Sequence, residues 1–112
     1  MTVRLHENDR RVVVTGMAAI SPLGVTVEKF WDGLANSRSG IGPISQFNAA
    51  GFDCQIAGEA TEFDPLMYLP PKEVRRMARC SQMASAAAQQ VIREAGLADS
   101  TLNRERIGVV IG

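Results

Sequence analysis

A close set of cations, two cysteines and one histidine carry most of the chemistry this 112-residue chain has to offer. Lys72, Arg75, Arg76 and Arg79 recur at i, i+3, i+4 and i+7, the spacing that gathers four side chains on one helix face. Such a face is unfavourable by itself. Cations in a first helical turn oppose the helix dipole, and like charges four residues apart repel by about 0.2–0.5 kcal/mol per pair. Glu73 offsets only part of this. A cluster held against these terms points to a partner rich in anions. The plainer alternative is a solvated face paired with Glu62, Asp64 or Asp99. Cys54 and Cys80 share no CxxC spacing and are too few for a disulfide framework, which suits a reducing, cytoplasmic setting. His6 falls in a polar leader, residues 1–9, expected to be a flexible tail with no catalytic role.

The elements that must position these residues follow an α/β pattern. Val12, Val13 and Val14 read as a short strand over residues 11–15, buried on both faces because no polar residue interrupts them. Ser21-Pro22-Leu23-Gly24 is a strong turn. Thr26 caps a helix over residues 27–35, with Glu28 in its first turn and an apolar stripe of Val27, Phe30, Trp31 and Leu34. Trp31 is therefore expected in the core. Residues 36–52, punctuated by Gly40, Gly42, Pro43 and Gly51, read as loop, and residues 54–60 as a short strand weakened by Gly58. Phe63-Asp64-Pro65 is a turn. A long helix is expected over residues 72–95, with Gly96 as its stop and an apolar set of Met77, Cys80, Ala84, Ala87, Val91 and Ala95. After a polar connection, residues 107–112 read as a second buried strand, a neighbour of residues 11–15 in one sheet.

Composition excludes several classes. With 12 basic and 12 acidic residues the chain is formally neutral, so no global field argues for nucleic acid or a membrane surface. No apolar run approaches the ~20 residues of a membrane span, and the polar start lacks a signal peptide's apolar core. Two or three buried strands without neighbours do not complete a doubly covered sheet, so the chain is expected to be the front piece of a larger protein.

Six short motifs in order carry a resemblance. They are Val12-Val13-Val14-Thr15-Gly16 with Ser21-Pro22-Leu23-Gly24; Ser39-Gly40-Ile41-Gly42-Pro43-Ile44; Ile56-Ala57-Gly58-Glu59; Phe63-Asp64-Pro65; Lys72-Glu73-Val74-Arg75-Arg76-Met77; and Ile107-Gly108-Val109-Val110-Ile111-Gly112. Together they resemble the opening of a β-ketoacyl-acyl carrier protein synthase, most nearly of type II. The resemblance spans nearly everything after the leader, residues 10–112. It implies a thiolase-like fold of five αβαβα layers, here the incomplete N-terminal part of the first half, and a cytoplasmic homodimer. It also implies fatty-acid biosynthesis: acyl transfer to a cysteine, decarboxylation of malonyl-acyl carrier protein, and Claisen condensation of the two. No cofactor or metal is implied. The acidic acyl carrier protein is the implied partner, and Lys72, Arg75 and Arg76 match the family's docking positions; Arg79 is added on helical spacing alone.

The family's nucleophile stands on a sharp turn at a helix N-terminus in a Thr-Ala-Cys-type motif, with two histidines that hydrogen-bond the thioester carbonyl as it becomes an enolate. Neither Cys54 nor Cys80 fits that motif, and both are expected to be structural. One histidine cannot make a pair, so the catalytic residues are expected beyond Gly112 and the chain alone is expected to be inactive. Two alternatives remain: a polyketide ketosynthase or its non-catalytic chain-length partner, and, more remotely, an NAD(P)-binding domain. The second wants further glycines where this chain has Met17, Ala18, Ala19 and Ile20, and Pro22 obstructs a phosphate-binding helix start.

Overall fold

The Ser21–Gly24 turn is the hinge on which the first half of the computed structural model is assembled; residues 11–99 and 101–111 are described. Ser21 N–H donates to Gly24 O (2.9 Å) and Gly24 N–H donates back to Ser21 O (3.1 Å). Gly24 has φ +150°, where a Cβ would fall 2.4 Å from Lys29 Cβ, so only glycine closes this turn. Directly after it, Thr26 takes extended angles and its Oγ1 accepts from Lys29 N–H (3.3 Å), starting helix α1, Val27–Ala35. The bounds are those expected. The buried face is not.

Trp31 is 68% exposed and Leu34 48%, whereas Gly33 is buried with Leu23 against it. Helix α1 therefore meets the turn across Gly33, which lets the two backbones approach, and Trp31 is no core residue. Residues 36–52 are not all loop: Ile41–Pro43 forms strand β1, which pairs antiparallel with β2, Ile56–Gly58. Ile41 lies opposite Gly58 and Pro43 opposite Ile56. This ribbon docks on the turn because a Cβ on Gly40 would meet Pro22 Cβ at 2.6 Å and one on Gly58 would meet Pro22 Cγ at 3.0 Å.

β1 and β2 are the single sheet among the described residues. Neither valine-rich run joins it. Val12, Val13 and Val14 are 94%, 72% and 79% exposed, and Val110 is 98% exposed. Both stretches lack ladder partners here, and a strand without a neighbour's N–H and C=O groups has nothing to hold it extended and paired. The expected pairing of residues 11–15 with residues 107–111 is thus absent. Residues 1–9, with His6, lie outside the described residues, as does Gly112.

The expected long helix is two helices. Pro71–Val74 forms α2, and Arg79–Glu94 forms α3. Ala78 between them has ψ 153°, an extended angle that no helix can carry. Pro71 starts α2 in the position that suits a missing N–H, and Gly96, at φ +66°, follows the end of α3 as the sequence indicates. Helix α3 is the frame of the molecule. A Cβ on Gly16 would lie 3.0 Å from Val91 O, so the incoming chain runs against α3, and Met17 N–H donates to Glu94 Oε2 (2.6 Å). Buried apolar residues are few among the described ones: Phe63, Leu69 and Ala86.

Candidate docking surface

Four cations were expected on one helix face; three remain together. Lys72 is in α2 itself and Arg75 is its C-terminal cap residue. The turn continues past the cap, with Arg76 N–H and Met77 N–H both donating to Glu73 O (2.9 and 3.1 Å). Lys72, Arg75 and Arg76 therefore keep their i, i+3, i+4 relation within one continuous turn, and all three are exposed. Among the described residues none of them makes an ion pair; the pairs present are Lys29–Glu62 and Arg38–Asp32.

Two of the three acids that could have neutralised this turn, Glu62 and Asp64, are otherwise engaged. Glu62 accepts from Lys29 Nζ at 2.7 Å. Asp64 caps the short 3-10 helix Pro65–Met67, its Oδ1 accepting from Leu66 N–H at 2.9 Å. The side chain of Asp99 lies outside what is described. What remains is a compact, solvent-facing triad of positive charge.

Arg79 belongs elsewhere. The extended angle at Ala78 takes it off the triad's face and makes it the first residue of α3. Its guanidinium donates through Nη2 to Ala60 O (3.2 Å) and Phe63 O (3.0 Å) and lies 4.8 Å over the Phe63 ring. These are contacts of a side chain fastening its own fold, so the i+7 spacing that placed Arg79 with the others fails.

Sequence reasoning missed the glutamines of α3. Gln82, only 7% exposed, donates through Nε2 to Val74 O (2.8 Å) and Met77 O (3.0 Å). Gln89 donates to Tyr68 O (3.0 Å), and Gln90 to Val25 O (3.3 Å) and Tyr68 Oη (3.2 Å). The available signal was polar residues falling beside the apolar set of a helix otherwise rich in small residues. Such residues must find partners when covered.

The two cysteines make no catalytic arrangement. Both are free and exposed. Cys54 Sγ donates to Ile56 O at 3.4 Å, and Cys80 lines a shallow groove of about 410 Å³ with Ser81, Ala84, Ser85, Ala88 and Ile111. Among the described residues no imidazole or carboxylate base lines that groove.

Comparison with known proteins defines the class. The family model described as "Beta-ketoacyl synthase, N-terminal domain" matches residues 9–112. A solved structure titled "The ishigamide ketosynthase/chain length factor" superposes with a TM-score of 0.68 at 36% identity, covering 88% of this chain and 23% of that one. The fold is that of the ketosynthases, and the chain belongs to the beta-ketoacyl synthase family. Among curated relatives, the chain is 46% identical over 103 residues to a 3-oxoacyl-[acyl-carrier-protein] synthase 2 of Synechocystis, covering 92% of this chain and 25% of the relative. It is 41% identical to a similarly named synthase of Coxiella burnetii over 92% of this chain and 25% of the relative. It is also 41% identical to the granaticin polyketide putative beta-ketoacyl synthase 1 of Streptomyces violaceoruber, over 92% of this chain and 24% of that protein. The chain thus spans about a quarter of the length of the curated relatives it matches.

Proposed function

We propose that this chain is the N-terminal portion of a 3-oxoacyl-[acyl carrier protein] synthase of fatty-acid biosynthesis, a condensing acyltransferase. The observation that carries this reading is the match to proteins of that name along 92% of the chain. The whole enzyme would be a cytoplasmic homodimer with the thiolase-like αβαβα layering. Its acyl-accepting cysteine and paired histidines would lie beyond Gly112. There the cysteine thiolate would take the acyl chain from its carrier thioester, malonyl-acyl carrier protein would lose CO2, and the resulting enolate would attack the enzyme-bound acyl carbon.

Within this division the present chain supplies recognition. Lys72, Arg75 and Arg76 dock the acidic acyl carrier protein, a role supported by their exposure and by the engagement of Glu62 and Asp64 with other groups. Steering by an unpaired basic turn concentrates a negatively charged partner near the surface it must reach. Assay of the full-length protein with acyl-carrier and malonyl-carrier substrates tests the reading: a β-ketoacyl product two carbons longer, with release of CO2, is expected. Absence of any chain extension with a range of acyl carriers would overturn it.

A second reading is favoured by the Streptomyces relatives and by the ketosynthase/chain length factor neighbour: a polyketide ketosynthase or its chain-length partner. Repeated extension without reduction, or activity only after mixing with a second subunit, would mark it. The dinucleotide-binding alternative loses its footing, since the beta-ketoacyl synthase family model matches residues 9–112 and the helix after the valine run begins only at Val27, after the Ser21–Gly24 turn.

A further inference from the structure

We propose that Gln82 and Arg79, in the first turn of α3, are positioning residues that hold the Lys72-Arg75-Arg76 turn in place from behind. The proposal rests on the docking reading above. Where the helix breaks at Ala78, the carbonyls of Val74 and Met77 lose their helical donors, and the buried Gln82 amide donates to both at 2.8 and 3.0 Å. On the entry side, Arg79 spans the Ala60 and Phe63 carbonyls and stacks on the Phe63 ring, which is 3% exposed. Phe63 in turn stacks on Tyr68 with centroids 6.0 Å apart, two residues ahead of the Pro70-Pro71 entry to α2.

Gln82 thus ties the C-terminal side of the basic turn to α3 directly, and Arg79 ties the Ala60–Phe63 segment, whose Phe63 ring stacks on Tyr68 just ahead of the turn; both leave its outer face free. The two groups suit the task differently. A neutral amide adds donors without adding charge. A guanidinium can bring the two N–H groups of Nη2 to two carbonyls while its flat face lies over a ring, an arrangement that a compact ammonium does not reproduce. Releasing either tie displaces three cations together, so docking weakens although no docking charge is removed.

The test uses the full-length synthase, with carrier-bound and small acyl thioesters compared. Gln82→Met, close in shape but without donors, and Arg79→Lys, which keeps the charge, are both expected to raise the apparent KM for carrier-bound substrate about 2- to 10-fold, as loss of one or two hydrogen bonds would. Rates with the small thioester should not change. In a background with Lys72, Arg75 and Arg76 all reversed to Glu, Gln82→Met should add nothing, because the turn it positions no longer docks. An Arg79→Lys enzyme with wild-type KM beside an impaired Arg79→Gln enzyme would show that Arg79 acts by charge, and would overturn the proposal. Equal losses on both substrates would show simple fold damage and overturn it as well. If the triple reversal alone leaves the carrier KM unchanged, the docking reading itself has failed. Should Gln82→Met not fold, the two Arg79 variants decide the matter.

Discussion

Glu59 collects three donors from the chain that follows β1: Ser45 Oγ (2.6 Å), Ser45 N–H (3.0 Å) and Gln46 N–H (3.2 Å). The Ser45 side-chain hydrogen bond holds its carboxyl below the ordinary carboxylate range; desolvation works against this and the two backbone N–H groups assist it. Because the folded value is the lower one, the contribution to stability is present above the ordinary glutamate value of about 4.3 and is lost as pH falls through the folded value. Replacing Ser45 by Ala in the full-length protein is expected to raise the Glu59 pKa toward that ordinary value, read by NMR titration of the carboxyl. An unmoved titration would mean that the hydroxyl plays no part. Residue-scale chemistry of this local kind is legible in sequence where the partners are neighbours. Thr26 as the cap of α1 and the grouping of Lys72, Arg75 and Arg76 were both readable. Arg79 was not, because its assignment depended on seven residues of unbroken helix.

The break between α2 and α3 has no warning in composition. Residues 72–95 contain neither Gly nor Pro, and the residue that leaves the helix is alanine, the best helix former. Tertiary contacts decide it: the Gln82 and Arg79 hydrogen bonds reward a bend that propensity opposes. The β1–β2 ribbon was hidden for the opposite reason. Gly40, Gly42 and Pro43 read as loop, and the strand exists only because Ile56–Gly58 lies beside it and Pro22 fits under two glycines. That wedge gives the element-scale expectation. Gly40→Ala puts a methyl 2.6 Å from Pro22 Cβ and should destabilise the full-length protein by about 1–3 kcal/mol, measured by urea unfolding. A loss below about 0.5 kcal/mol, the range of ordinary surface changes, would show that the ribbon is not seated on the turn.

At the scale of the molecule, apolar surface is the dominant feature. The Cα radius of gyration is 18.6 Å, against about 13 Å for a compact domain of this length. Val12, Val13, Val14, Val109, Val110 and Ile111 are each more than 70% exposed, and two uncovered valine-rich runs are a pairing hazard. These runs are the ones whose composition reads as buried strand, and we propose that in the full-length synthase they take up that role against the rest of the sheet. The sequence shows the hydrophobic pattern, while on this proposal the partners that turn a pattern into a strand would come from the three quarters of the matched relatives' length that this chain does not span. The 112-residue chain on its own is accordingly expected to associate, to melt without a sharp transition and to catalyse no condensation. Sedimentation and calorimetry check this; a monomer with one reversible, cooperative transition would contradict it.

The most direct measurement is a comparison of substrates in the full-length enzyme with Lys72, Arg75 and Arg76 reversed to Glu. On the proposed docking, each exposed contact with an acidic carrier protein would be worth about 0.5–1 kcal/mol, so each single reversal should raise the apparent KM for acyl-carrier substrate about 2- to 5-fold. That penalty should shrink as salt rises through the range where the screening length falls below about 10 Å. Small acyl thioesters, which do not touch the basic turn, should react at unchanged rates, because the nucleophile is untouched. Carrier-bound and small substrates slowed to the same extent, with no dependence on salt, would contradict docking at this turn.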